Sequence, residues 1–64
     1  MEPVTVLLQY QRHSKGYRRY EEFVEAGSHP LVGVLYLAEA RLGPTPPKWI
    51  RVVMEPAVVN ELEE

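Results

Sequence analysis

The fold of this chain depends on one segment, Tyr10-Gln11-Arg12-His13-Ser14-Lys15-Gly16-Tyr17-Arg18-Arg19-Tyr20. Its centre, Ser14-Lys15-Gly16, is a turn signal, because Gly accepts the positive φ that hairpin loops of about three to five residues require. Before the turn, residues 4–10 alternate more polar side chains with an apolar set, Val4, Val6, Leu8 and Tyr10. This alternation predicts a strand that enters the turn with one wholly apolar face.

The residues after the turn, 17–24, fit either a strand or a helix. As a helix, Tyr17, Tyr20 and Val24 would form one apolar stripe. The order of charges opposes a helix, since the basic residues would lie at the positive end of its dipole and the glutamates toward the negative end. We therefore favour a strand that pairs with the first one, and keep an α+β fold with a short helix at 17–26 as the alternative.

The remainder of the chain contains two further strand signals. Residues 31–42 begin with apolar side chains on both alternating sets, which is typical of a central strand covered on both faces. Gly33 within them marks a bulge or a close backbone approach. Residues 25–30 form a loop, and the proline-rich residues 43–47 form a stiff connector. Residues 48–55 alternate again, with Ile50, Val52 and Met54 on one face.

These segments predict an all-β fold, a small antiparallel sheet of three to four strands arranged as a meander. We expect a single β domain at 1–56 and an acidic C-terminal tail at 57–64 that is disordered or forms a short helix. The sheet has an apolar face that nothing else in 64 residues is long enough to cover fully. Covering this face with a second copy predicts a homodimer.

Composition narrows the class of protein. The chain has no Cys, which excludes disulfides and thiolate zinc sites. Its net charge of −2 divides into +4 within 10–20 and −6 elsewhere, so any attraction to nucleic acid must be local.

No apolar run approaches the roughly 18 residues that span a bilayer, and the first residues lack a signal-peptide pattern. We expect a cytoplasmic protein without membrane contact; six Pro and no Asp suit a thermophile.

Residues 16–55 carry short motifs that resemble those of one protein group. Tyr17-Arg18-Arg19-Tyr20-Glu21-Glu22 is similar to a YRYEE segment, and Gly33-Val34-Leu35-Tyr36-Leu37 with Leu42-Gly43 is similar to a GTLYxxKxxLG strand. The further matches are a PP turn at Pro46-Pro47 and a closing IxVxIE strand at Ile50, Val52 and Glu55. The chain thus resembles short β-rich proteins of archaea, bacteria and viruses that have no assigned activity. The resemblance implies an all-β fold and no function.

Glu39 stands where the pattern has Lys, which argues against that strand as a basic contact surface.

The sequence offers little for catalysis, metal binding or cofactors. Ser14 and His13 are adjacent, so on a strand or tight turn their side chains point apart, and no Asp is present to orient the imidazole. His13 and His29 stand sixteen residues apart without Cys or Asp between them, which matches no common zinc pattern. No phosphate-binding glycine motif occurs. We therefore expect a protein that is not an enzyme and carries no cofactor.

Two binding functions remain as hypotheses. The first is a protein-interaction or assembly module, for which Trp49 and Tyr36 are the candidate interface residues. The alternative is a nucleic-acid-binding protein of the single-stranded or β-ribbon type. Its candidate contacts are Arg12, Lys15, Arg18, Arg19, Tyr10, Tyr17 and Tyr20. Strand alternation places Tyr17 and Arg19 on one face and Arg18 and Tyr20 on the other, so one surface cannot contain them all.

Overall fold

A computed structural model describes residues 2–59 of the chain. It contains four strands and one short helix: β1 (Val4–Ser14), β2 (Tyr17–Glu22), β3 (Val34–Ala38), α1 (Glu39–Leu42) and β4 (Trp49–Met54). All strand pairs are antiparallel and form a single sheet. The prediction of an all-β fold with a small antiparallel sheet is therefore confirmed. No helix within residues 2–59 has the length and apolar character needed to cross a membrane.

The hairpin β1–β2 forms at the predicted place with a tighter turn than expected. Lys15 and Gly16 alone make the turn, with φ of 47° and 84°, while Ser14 is the last residue of β1. Two consecutive positive φ values are typical of the two-residue type I′ loop, whose twist matches that of the flanking strands. The alternative of a helix at 17–26 is wrong, because residues 17–22 pair with both β1 and β3.

A β-bulge interrupts the pairing of β1 with β2. Tyr10 pairs with Tyr20, and Arg12 pairs with Arg19, so one extra residue of β1 lies between the two pairs. A bulge of this kind changes which side chains of a strand share a face. As a result, His13 continues the face of Tyr10 toward the turn and lies opposite Arg18.

The order of the strands differs from a simple meander. It is β3-β2-β1-β4, so the connector at 43–48 crosses to the far side of β1 and places β4 there. The expected central strand at 31–42 is also wrong. Only Val34–Ala38 is extended, and it forms an edge strand with Tyr36 54% exposed. Val34 and Tyr36 of this strand point away from the core, and of these Val34 is partly buried and Tyr36 is exposed.

The core lies on one side of the sheet, which we call the inner face. Val6, Leu8 and Tyr20 are buried there. Partly buried apolar side chains pack around them: Tyr10, Val32, Leu35, Leu37, Leu42, Ile50, Val52 and Met54. The predicted apolar faces of residues 4–10 and 48–55 both lie on this side, although Val4, at the start of β1, is 38% exposed. The hydroxyl of Tyr20 donates to the carbonyl of Pro47 at 2.8 Å, which fastens the connector over the inner face.

The C-terminal segment leaves the sheet after β4. Residues 55–59 have no regular secondary structure. The rest of the tail, 60–64, for which disorder or a short helix was expected, lies outside the described residues.

Candidate interaction face of the sheet

The opposite side of the sheet, which we call the outer face, carries large exposed side chains. Directly paired residues share a face of the sheet, and successive residues of a strand point to opposite faces. The residues next to the core residues in each strand therefore lie on the outer face. Strand pairing and alternation assign to the outer face Leu7, Arg12, Tyr17, Arg19, Glu21, Phe23, Tyr36, Trp49, Arg51 and Val53. These residues divide into an apolar end and a basic end.

The apolar end contains four side chains that we call the apolar cluster: Leu7, Phe23, Trp49 and Val53. Their exposed fractions are 43%, 58%, 47% and 53%. Phe23 follows β2 and donates its backbone N–H to the carbonyl of Leu7 at 2.9 Å. The rings of Phe23 and Trp49 meet edge to face, with centroids 6.1 Å apart and planes at 73°. This geometry is favourable for an aromatic pair, so the cluster is a packed surface of half-exposed apolar groups.

The basic end contains four side chains that we call the basic-aromatic patch: Arg12, Tyr17, Arg19 and Tyr36. Arg12 lies directly opposite Arg19, and Arg19 lies directly opposite Tyr36. These three side chains form a row across β1, β2 and β3. Tyr17 stands two residues before Arg19 on the same face and is 49% exposed. Ion pairs within residues 2–59 involve His13 and Arg18, so neither arginine of the row has an acidic group within 4.0 Å.

On the inner face, Glu39 joins two basic side chains near the turn. Arg18 is only 4% exposed and donates through Nη2 to Oε2 of Glu39 at 3.1 Å and to the carbonyl of Pro44 at 3.4 Å. The imidazole Nε2 of His13 lies 3.0 Å from Oε1 of Glu39. Hydrogen bonds from His13 and then Arg18 lower the pKa of the Glu39 carboxyl, since both stabilise its charged form. The Nε and Nη1 atoms of Arg18 are buried without a partner among the described residues.

The sequence-predicted nucleic-acid residues are therefore separated by the sheet. Arg12, Tyr17 and Arg19 lie on the outer face, and Lys15 lies in the turn between the two strands. The other three candidates lie on the inner face: Tyr10, Arg18 and Tyr20. Tyr20 is fully buried and its ring meets that of Tyr10 edge to face at 5.6 Å. Burial raises the pKa of the Tyr20 hydroxyl despite the nearby charge of Arg18.

The two candidate interface residues lie on the same face but on opposite edges of the sheet. Trp49 belongs to β4 and Tyr36 to β3, and β1 and β2 lie between them. Trp49 contacts Phe23, whereas Tyr36 stands beside Arg19. They consequently belong to two different surfaces, the apolar cluster and the basic-aromatic patch.

Sequence reasoning missed Glu22, whose side chain holds the long loop that follows β2. Glu22 accepts the backbone N–H groups of Leu31, Val32 and Gly33 at 3.0, 2.7 and 3.0 Å, which holds the long loop against β2. These bonds, led by that from Gly33, lower the pKa of the Glu22 carboxyl. A shallow depression of about 480 Å³ lies beside this loop. Gly33, with φ of 82°, was the available signal, because a positive φ lets consecutive N–H groups converge on one acceptor.

The described residues show no arrangement suited to metal binding. His13 is engaged with Glu39, and no group of three or more His, Cys, Asp or Glu within residues 2–59 is placed to hold a metal ion.

No protein-family model, curated protein or solved structure matches the chain.

Proposed function

We propose that this chain is a small, non-enzymatic protein-interaction module that forms a homodimer through the apolar cluster of its outer face. The observation that carries the proposal is a set of four half-exposed apolar side chains on one end of the outer face. Leu7 lies opposite Phe23, and Phe23 contacts Trp49. Val53 lies further along β4, beyond Arg51, which is itself opposite Leu7. Contiguous apolar patches of this kind on a small protein mark contact surfaces. Trp and Phe are also enriched where proteins meet.

The exposed area of the cluster suits a modest dimer. An aromatic side chain buries roughly 150–250 Å² in full, so Phe23 and Trp49, both about half exposed, together offer on the order of 200 Å². Leu7 and Val53 raise the apolar area to roughly 300–400 Å². The smallest stable interfaces bury about 600 Å² per partner, of which some 65% is apolar in homodimers. The two quantities are comparable, so the cluster supplies the apolar area of an interface at the lower end of the stable range.

A second copy of the chain fits this surface because the outer face carries both a positive and a negative side chain near the cluster, and these can pair between two copies. Arg51 lies beside Leu7, and Glu21 lies on the neighbouring row beside Gln9. In a two-fold symmetric contact, each surface meets an identical one. We place the two-fold axis so that Arg51 of each copy faces Glu21 of the other, which gives two ion pairs beside the apolar cluster.

Sedimentation over roughly 1 to 100 µM tests the proposal, since that range spans a micromolar dissociation constant. The wild-type chain should shift from its monomer mass of 7.4 kDa to twice that value. Trp49→Ala and Phe23→Ala should each raise the dissociation constant at least tenfold. Tyr17→Ala is the matched control, because this exposed aromatic residue lies on the same face but outside the cluster.

A charge exchange separates this contact from pairing at an exposed strand edge. Arg51→Glu alone should weaken the dimer, and adding Glu21→Arg should restore it, because the reversed pairs attract again. The proposal fails if the chain sediments as a 7.4 kDa monomer throughout the range. It also fails if Trp49→Ala and Phe23→Ala dimerise as well as the wild type.

A further inference from the structure

We infer that the basic-aromatic patch binds single-stranded nucleic acid, with phosphates on Arg12 and Arg19 and bases on Tyr36 and Tyr17. The inference goes beyond dimer formation and depends on a different part of the outer face. Its basis is the row of Arg12, Arg19 and Tyr36 across three strands.

The pairing of two arginines indicates an anionic ligand. Side chains directly opposite each other on antiparallel strands have Cβ atoms about 4.5–5.5 Å apart, and like charges at that distance destabilise the sheet. Arg12 and Arg19 stand in this relation, and neither has an acidic group within ion-pair distance in the described structure. Lys15 in the adjoining turn adds a third positive charge. A bound phosphate converts this repulsion into attraction.

The aromatic side chains indicate that the anion belongs to a nucleic acid. Tyr36 lies directly opposite Arg19 and is 54% exposed, and Tyr17 precedes Arg19 by two residues on β2 and is 49% exposed. Exposed rings beside cationic groups are the arrangement that stacks bases while neutralising the backbone. The side chains of an acidic peptide bind the cations but have no aromatic ring to stack on the tyrosines.

The accessible rings favour an unpaired strand over a duplex. In a duplex the faces of the bases are stacked on one another, so rings on a sheet surface have no base face to contact, whereas unpaired bases present both. The patch borders the contact of the proposed dimer, since Glu21 of that contact is two residues from Arg19, but Arg12 lies well outside it. Arg12 is five residues along β1 from Leu7 of the apolar cluster, a separation of about 17 Å.

Fluorescence anisotropy with labelled oligothymidylate of about 12 nucleotides, within the site size of small sheet proteins, tests the inference. At about 50 mM salt the wild-type chain should bind, and log K should fall against log[salt] with a slope near −2 for three phosphate contacts. Arg12→Ala combined with Arg19→Ala should weaken binding at least tenfold and reduce the slope to about −0.7. Arg41→Ala is the matched control, since it removes an exposed arginine of α1 and should leave affinity within twofold.

The aromatic contribution has its own test. Tyr36→Ala should weaken binding roughly 5- to 150-fold, the range of one lost stacking contact, whereas Tyr36→Phe keeps the ring and should bind as the wild type does. Circular dichroism confirms that each variant is folded. The Trp49→Ala chain should bind the oligonucleotide with unchanged affinity per chain even if it is monomeric, which separates this inference from the proposed dimer.

Four results would overturn the inference. They are no binding at about 50 mM salt, equal binding by the Arg12 and Arg19 double variant, preference for a duplex of the same sequence, and equal competition by polyglutamate. The last would assign the patch to an acidic protein.

Discussion

Arg18 and Glu39 form an ion pair whose two members are buried to very different extents. The atoms Nη2 and Oε2 lie 3.1 Å apart, but the side chain of Arg18 is 5% exposed and that of Glu39 is 42% exposed. Water can solvate the carboxylate without its partner, but it cannot reach the guanidinium. The two residues therefore contribute unequally to stability, although they share one contact.

Removing Glu39 should destabilise the fold more than removing Arg18. Among residues 2–59, Glu39→Ala leaves the buried guanidinium with the carbonyl of Pro44 as its one partner, and an uncompensated buried charge is strongly unfavourable. We expect the thermal midpoint to fall by about 5 °C or more. Arg18→Met removes a guanidinium of which two nitrogens, Nε and Nη1, have no hydrogen-bond partner within residues 2–59, so its effect should be smaller. Thermal unfolding followed by circular dichroism measures both, and a larger loss for Arg18→Met would contradict the argument.

Stability should decline in acid because of Glu22 and Glu39. The pKa of each carboxyl is lowered in the folded chain from its ordinary value of 4.5. Their contribution is thus fully present above pH 4.5 and is lost as pH falls through the lowered folded pKa. The thermal midpoint should be nearly constant from about pH 7 to pH 5 and fall below about pH 4.5.

Glu22→Gln identifies one source of this acid dependence. The variant should be less stable than the wild type at neutral pH, and the difference should shrink as pH decreases, because the wild type loses the same charge there. Glu25→Gln is the control, since its side chain makes no hydrogen bond or ion pair within residues 2–59. A difference between Glu22→Gln and wild type that persists unchanged at low pH would show that the carboxylate charge is not involved.

Local patterns in the sequence predicted the strands well. Alternation in residues 4–10 and 48–55 identified both strands and their buried faces, and Gly16 located the hairpin. The separation of Tyr17 and Arg19 from Arg18 and Tyr20 followed from the same period of two residues. These features depend only on neighbouring residues, so they are visible in one chain.

Relations between distant residues were not visible. The apolar residues at 31–37 predicted a central strand, because two apolar faces look alike in sequence whether both are covered or one is left for contact. Nothing local indicated that β4 would pair with β1, or that Glu39 would meet Arg18, 21 residues earlier in the chain. The bulge at Gln11, which turns His13 toward Glu39, has no sequence signature of its own.

The turn of the hairpin offers a stabilising substitution. Lys15 has φ of 47°, a left-handed conformation that is unfavourable for most residues but common for Asn. Lys15→Asn should raise the free energy of unfolding by about 0.5–1 kcal/mol. Gly16→Ala should lower it by about 1 kcal/mol. The loss for Gly16→Ala comes from backbone conformation and not from a steric clash, since a Cβ on Gly16 would meet nothing within 4 Å beyond its chain neighbours.

Urea unfolding of both variants tests the turn geometry. An increase for Lys15→Asn together with a decrease for Gly16→Ala is expected of a type I′ loop. Lys15→Ala serves as the control, because it removes the same charge without the Asn preference for positive φ. If Lys15→Ala is as stabilising as Lys15→Asn, repulsion from the neighbouring arginines rather than the backbone limits the wild-type turn.

Leu7 and Leu8 are adjacent residues of β1 whose truncation should affect different equilibria. Leu8→Ala should lower the stability of the monomer, and Leu7→Ala should weaken the dimer. Leu8 is fully buried on the inner face, whereas Leu7 is 43% exposed on the outer face. Leu8→Ala should cost about 2–5 kcal/mol, which is most of the roughly 3–10 kcal/mol expected for a chain of this length. Leu7→Ala should change the unfolding free energy of the monomer by about 0.5 kcal/mol or less, while weakening the dimer. Urea unfolding at submicromolar concentration isolates the monomer, and sedimentation at higher concentration measures the dimer. Equal destabilisation by the two substitutions would show that the outer face is already covered within one chain, which would remove the surface on which self-association depends.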